Sequence, residues 1–354
     1  MTDKKTIKNK ILKADSSAVI PLKWVGPIKI ESEFCNEEIS VPLATFELPL
    51  WPSVDRGARI SRQTVGIKVV IEEDQMTRSF VLEANSASEA IAAKENILSS
   101  FDFISIVKET SSFAEFKNIT AEVLGKLIYF RLAIFSKEAS GHNMVTNSAN
   151  YLANIILKEF PNLKYISISA NYCTDKKVSA ANGILGRGRK CIAEIIIPKK
   201  ICQKFLRVEP EKLVELNIKK NLLGSILAGS LRSANAHYAN ILLAMYLATG
   251  QDAANIVEGS QGITFAEMQG EDLYFSITIP NIIVGTIGNG KNISFAKENL
   301  ERLGCLKASN NGENSKRLAT IICATTLCSE LSLLAALSNQ NELIDSHLKL
   351  EREV

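Results

Sequence analysis

The sequence predicts an α+β protein: a large mixed domain around a buried central helix, with an inserted small ferredoxin-like (βαββαβ) domain. Three observations carry that expectation. From residue 80 to residue 169 the hydrophobic rhythm switches between strand and helix periods in the order strand, helix, strand, strand, helix, strand. Residues 225–249 and 318–337 are apolar on nearly every side, as interior helices are. The chain has 354 residues, 46% of them hydrophobic, enough for one large or two moderate domains with a sizeable core.

In order, residues 1–19 read as a short amphipathic helix. Residues 20–61 hold short apolar runs broken by Pro21, Pro27, Pro42, Pro49 and Pro52, which predict strands and turns rather than helix. Glu47 lies there among Phe46, Leu48, Leu50 and Trp51. Such a setting should raise a carboxyl's pKa and suits a proton donor, although a surface turn fits the same pattern. The insert then runs as strand 80–83, helix 86–99, strand 104–108, strand 126–135, helix 143–160 and strand 165–169. The expected domains are therefore 1–79 with 168–354, and 80–167. Strand 191–197 ends at Pro198, and residues 225–249 read as the central helix, capped by Gly250. Residues 273–280 alternate as a strand. The stretch 318–337, interrupted by Glu330, reads as a buried helix rather than a membrane span.

A net charge of +3 is too small to argue for a nucleic-acid partner. The opening MTDKKTIKNKIL is polar, so secretion is not indicated and a cytoplasmic location is expected. Seven cysteines without a CxxC pair fit reduced thiols, and no metal is expected.

The chemistry concentrates in the loop between strands 165–169 and 191–197. It carries Asn171, Asp175, Lys176 and Lys177, then Gly183, Gly186, Arg187, Gly188 and Arg189. An aspartate beside two lysines in a loop gripped by buried strands can hold a reactive lysine; a solvated basic loop has the same composition. EASGHNMVTNSAN (138–150) is a glycine-containing turn opening a helix, which offers backbone N–H groups to a phosphate. There is no GxGxxG, so this is not a Rossmann site. GTIGNGK (285–291) is a second glycine loop that alone reads as a turn. His237 and Asn240 share a helix face, Asp252 follows that helix, and His347 lies in a charged tail where histidines are commonly just solvated.

The run NYCTDKK (171–177), with GRG at 186–188, resembles the lysine loop of the hydroxymethylglutaryl-CoA (HMG-CoA) reductase family almost letter for letter. The likeness recurs in the family's order over residues 18–350. It is nearer to a soluble, class I-like form, the class of the animal and archaeal enzymes. The resemblance implies Glu47, Lys176, Asp252 and His347 as the catalytic set, although Phe46 and Leu48 flank Glu47 where the family usually has Thr and Gly. It implies Ser53, Arg56 and Arg59 near the CoA nucleotide and Arg78 on the substrate carboxylate. Ser169, Asn171, Asp175 and Lys177 would bind the hydroxymethylglutaryl part, with Lys220, Asn235, His237 and Asn240 around the substrate. For the cofactor it implies Glu138, Ala139, Gly141, His142, Asn143 and Met144, with Glu138 replacing an aspartate and His142 an apolar residue. Gly285, Thr286 and Gly288 would lie near the nicotinamide, and Ser111 and Ser112 near the 2′-phosphate. Ser112 and Glu115 stand where the animal enzymes carry basic residues. The implied cofactor is NADPH, with NADH as the alternative.

The implied reaction reduces the thioester to mevalonate with two equivalents of reduced cofactor, at a site between two subunits of a homo-oligomer. Lys176 and Asp252 are expected to meet there from different chains. Two rivals are a reductase of a different acyl-CoA, favoured by Phe46 and Leu48, and a non-catalytic CoA-ester-binding relative. The presence of all four catalytic residue types argues against the second.

Overall fold

The computed structural model describes residues 17–309 and 311–351, without the side chains of Ser346, His347, Leu350 and Glu351. The helix expected over 1–19 lies almost wholly outside the described residues, and 17–19 are coil. The chain opens with β1 (Leu22–Glu31) and β2 (Glu37–Ala44), an antiparallel pair whose Ile28, Ile30, Val41 and Leu43 enter the core. The expectation of strands and turns throughout 20–61 then fails at α1 (Leu50–Arg62). Pro49 caps this helix and Pro52 lies in its first turn, where no intrahelical N–H is needed, so the prolines start the helix instead of preventing it.

β3 (Ile67–Glu83) is the longest strand, with 17 residues. After it come α2 (Ala87–Ser100), α3 (Phe103–Thr110), β4 (Glu115–Leu124), β5 (Leu127–Phe135), α4 (His142–Glu159) and β6 (Lys164–Ile168). The strand expected over 104–108 is instead part of helix α3. The Asp102 side chain accepts from Ser105 N and caps it, and buried Phe103 and Val107, spaced i, i+4, put one helical face on the core. The second strand of the βαββαβ order is β4, whose mostly half-exposed residues give a weak apolar signal.

The rest runs α5 (Ala180–Leu185), β7 (Gly188–Ile197), α6 (Lys199–Ile201), a π-helix at Cys202–Leu206, α7 (Pro210–Leu216), a second π-helix at Asn217–Gly224 and α8 (Ser225–Leu227). Next are β8 (Ser233–Ala234), α9 (Tyr238–Ala248), α10 (Ile256–Gly259), β9 (Gly262–Gln269), β10 (Asp272–Ile282), α11 (Ser294–Arg302), α12 (Glu313–Ser338) and α13 (Glu342–Glu351). The single central helix expected over 225–249 is thus broken. Gly229 and Arg232 take left-handed φ values of 70° and 51°, which a right-handed helix cannot accommodate. Gly250, φ 66°, closes α9, with Gln251 N donating to Tyr246 O. The central helix is α12. By length and apolarity it could cross a membrane, but nearly all of it is buried inside the fold. α1 crosses it so closely that a Cβ on Gly57 would fall 2.2 Å from Cys328 O.

The large sheet has the order β2-β1-β3-β7-β10-β9-β8, and β4-β5-β3-β6 form an antiparallel sheet on the same β3. β3 pairs with β7 up to Gln75 and with β5 from Met76. Two cores follow. One gathers α1, α9, α12 and the large sheet; the other packs Phe80, Phe130, Val107, Leu152 and Ile156 beneath the small sheet.

Candidate active site

The lysine loop leaves β6 through backbone turns that few side chains adopt. Ser169, Asn171, Thr174 and Lys176 all have left-handed φ, between 40° and 62°. Ser79 on β3 pins the loop, its hydroxyl accepting from Tyr172 N and Cys173 N, and Cys173 is a buried peg. Arg78, next along the strand, donates to Ser169 Oγ at 2.8 Å and Thr146 Oγ1 at 2.9 Å, and reaches Asp175 at 3.4 Å. Arg187, fully buried, holds Asp175 at 3.0 Å and Glu258 at 2.9 Å. Burial pushes the Asp175 carboxyl up, but Arg187, His142 and Arg78 outweigh it and hold its pKa below the ordinary value.

Lys176 Nζ lies 2.7 Å from Asp252 Oδ2, in the same chain. That hydrogen bond raises the lysine's pKa, so the amine is charged at neutral pH. At Asp252 burial acts upward, and the bonds from Lys176 and the Ala254 amide win and lower the carboxyl's pKa. The expectation that these two residues meet from different chains is corrected here. The turn after α9 carries Asp252 under the lysine loop of its own chain. Lys177 is turned outward, its Nζ 3.3 Å from Asp175 O.

A second group gathers at the other end of α9. Asn240 Nδ2 donates to Glu47 Oε2 at 2.7 Å, and a cavity of about 300 Å³ opens beside Glu47, lined by Leu50, Ser53, Arg56, Ala336 and, from α13, Glu342 and Lys349. Ser53 and His237 both touch Ser329, at 3.3 and 3.1 Å. Burial lowers the His237 pKa to about 4, so its ring is neutral. Lys220 bonds Asn221, and Asn235 bonds the Ser260 and Gly262 carbonyls. Glu330, completely buried, accepts from the Ala236 and His237 amides and so fixes this segment. Arg56 is engaged with Glu342 and with the Phe205 and Leu206 carbonyls, whereas Arg59 is an exposed partner of Asp55. His347 lies on α13, the helix that walls this cavity; its side chain is outside the described residues. From Asn240 to Ala248, α9 spans about 12 Å of axis at 1.5 Å per residue, and Asp252 lies beyond it. The Glu47 group and the Lys176 group are therefore well beyond hydrogen-bond reach of each other within one chain.

The two glycine loops do come together. A Cβ on Gly285 would sit 2.4 Å from Ser140 N, and Ala139 bridges Ile287. Gly141, φ 89°, starts α4 with no side-chain cap and lies so close to Ser136 and Met76 that no larger residue fits. The uncapped first turn, with Asn143 and Met144, leaves N–H groups for an anion, as a dinucleotide requires. Glu138 faces inward: its carboxylate accepts from Thr286 Oγ1 and the Asn314 and Ser315 amides, capping α12. His142 lies 3.9 Å from Asp175, and burial, then Arg187, lowers its pKa to about 4. Gly288 borders open space. Ser111 ends α3, Ser112 is exposed beside it, and Glu115 pairs with Lys137 at 3.2 Å. Sequence reasoning missed Glu258, Glu330 and the bridging role of Arg187. The GRG run was a signal for Arg187, and the lone carboxylate in the apolar stretch 318–337 a signal for Glu330.

Comparison with known proteins agrees. The family model described as hydroxymethylglutaryl-coenzyme A reductase matches residues 3–352. The 3-hydroxy-3-methylglutaryl-coenzyme A reductase of Pyrococcus horikoshii is 38% identical over 94% of this chain and 81% of its own length. That of Methanocaldococcus jannaschii is 39% identical over 99% and 86%. A solved class II 3-hydroxy-3-methylglutaryl-CoA reductase from Streptococcus pneumoniae, bound to NADPH, superposes with TM-score 0.73 at 19% identity, covering 91% of this chain and 86% of that one. That last likeness bears on the fold. The chain belongs to the hydroxymethylglutaryl-coenzyme A reductase family.

Proposed function

We propose that this chain reduces the thioester of HMG-CoA to the primary alcohol of mevalonate and releases CoA, a four-electron reduction serving isoprenoid synthesis. The observation that carries the reading is the 2.7 Å Lys176–Asp252 pair set beside Arg78, Ser169 and Asp175. The small sheet and the turn at 138–144 would hold the nicotinamide cofactor, NADPH with NADH as the alternative, which supplies hydride when bound. Charge gathers on the thioester oxygen as the carbonyl is reduced, and the Lys176 ammonium is placed to stabilise it. CoA then leaves as a thiolate, for which His347 is the acid. The aldehyde formed is reduced in turn, and Glu47 protonates its oxygen. Arg78 offers a planar donor to the substrate carboxylate.

Because Glu47 and Lys176 stand at opposite ends of α9, one site needs Glu47 from one subunit and Lys176–Asp252 from another. Apolar side chains are exposed just after the lysine loop, at Val178, Ile184 and Leu185, and at Ile226, Leu227 and Leu231, by up to 90%, in the segment leading to Arg232, which bonds the Gly183 carbonyl. Exposed patches of this kind mark subunit contacts. The class I-like reading is supported by 38–39% identity to the archaeal enzymes against 19% to the class II structure. Seven buried free cysteines support a reducing compartment, the cytoplasm.

The test is HMG-CoA with NADPH or NADH, followed by cofactor absorbance, in the parent and in Lys176→Ala. The parent should oxidise the cofactor, and Lys176→Ala should lose about 100- to 1000-fold while still binding HMG-CoA. Near-normal turnover in Lys176→Ala removes Lys176 from the mechanism. A second reading, reduction of a different acyl-CoA, is favoured by Phe46, 71% exposed beside Glu47; profiling acyl-CoA substrates separates the two.

A further inference from the structure

Lys176 is held at two ends. Its amine meets Asp252, and its backbone N–H donates to Glu258 Oε1 at 3.1 Å. The same oxygen accepts from Arg187 Nη1 and from Asn255 Nδ2, each at 2.9 Å. The Glu258 and Arg187 side chains are fully buried, and Asn281 Nδ2 bonds the Glu258 carbonyl, tying α10 to β10. Asp252 and Glu258 belong to one short stretch, the turn at Ala253–Asn255 followed by α10. The lysine needs such a grip, because its φ of 57° is one that L residues rarely adopt unless their surroundings fix it.

We propose that Glu258 is a positioning residue for the reduction, holding Lys176 through the backbone amide while Arg187 fixes the neighbouring Asp175. The proposal rests on the reading of Lys176 as the oxyanion stabiliser. Glu258 makes no hydrogen bond to the amine; its charge adds to the field that raises the amine's pKa, and both variants below remove that charge alike. What distinguishes them is where the side chain starts, and a misplacement of the order of 1 Å at a reacting group can cost about 100-fold in rate. A merely structural Arg–Glu pair would affect stability alone.

Two variants separate these roles. Glu258→Gln and Glu258→Leu both remove the charge facing Arg187, so any stability loss they share reports the ion pair. Only Gln keeps an acceptor for the Lys176 amide. Glu258→Leu should lose at least tenfold in kcat with KM for HMG-CoA changed less than threefold, and Glu258→Gln should regain most of that loss. In a Lys176→Ala background the Gln–Leu difference should vanish. Equal kcat in the two variants, or the same difference persisting without Lys176, overturns the proposal. If neither variant folds, amide hydrogen exchange at residue 176 of the parent enzyme decides. Strong protection supports the bond, and exchange as fast as at the exposed Lys177 refutes it. A fully active Lys176→Ala protein would instead overturn the functional reading, whatever Glu258 does.

Discussion

Glu47→Gln and Lys176→Ala, each inactive alone, should restore activity when mixed. α9 sets about 12 Å of axis between Asn240, which holds Glu47, and the turn leading to Asp252, which holds Lys176. On the proposed reading, a working site takes its two halves from different copies. In a two-fold dimer, random exchange of equal amounts makes about half the dimers mixed, and each mixed dimer has one intact site of two, so about a quarter of parental activity should return. The control is Lys176→Ala with Asp252→Asn. Both residues belong to the same half, so each mixed site lacks one of them and nothing should return. The assay is cofactor absorbance with HMG-CoA after dilution and reassociation, with exchange verified by differently tagged subunits. No recovery for the first pair despite proven exchange, or equal recovery for both, would refute the reasoning.

His347→Gln should spare reduction of the free aldehyde far more than reduction of the thioester, since only the thioester releases a thiolate; equal losses in the two steady-state assays would count against that role. Ser112→Arg should raise the NADPH-to-NADH ratio of kcat/KM, because a guanidinium binds a 2′-phosphate better than one hydroxyl does. Glu115, paired with Lys137, is the same in parent and variant, and an unchanged ratio would show that the segment does not read the phosphate. His142 and the unfolded chain differ in proton affinity, with a pKa of about 4 in the fold against an ordinary 6.5. The unfolded state thus binds more protons between those values, so stability falls as pH drops through 6.5 and levels off near 4. His142→Met should reduce the stability lost between pH 7.5 and 4.5, read by urea unfolding at both pH values. An unchanged pH dependence would show that the ring is not held neutral.

Much of the fold was legible because its signals are local. Alternation marked β10, and the long apolar run marked α12. Residues 104–108 misled because three apolar residues in five satisfy both strand and helix periods, and the Asp102 cap was the arbiter. The break after Leu227 was hidden because Gly229 and Arg232 look like ordinary helix residues until their backbone turns left-handed. At the site, no spacing along the chain could bring Lys176 to Asp252, and only the family likeness did. Glu258 and the bridging role of Arg187 were missed because a buried ion pair is written in the same letters as a surface one. The separation of Glu47 from Lys176 is set by the length of α9 and had no sequence signature of its own.

The long strand β3 has a consequence for anyone recombining this protein with its relatives. Its hydrogen bonding passes from the large sheet to the small one between Gln75 and Met76, without leaving the strand. The small unit is therefore not a cassette. A chimera joined near residue 80 would splice two parents in the middle of a continuous ladder and place Arg78 on one parent's backbone beside the other's lysine loop. Crossovers that respect the molecule fall before Ile67 and beyond the lysine loop, after Lys177, so that β3 travels whole and its arginine stays with the loop it holds.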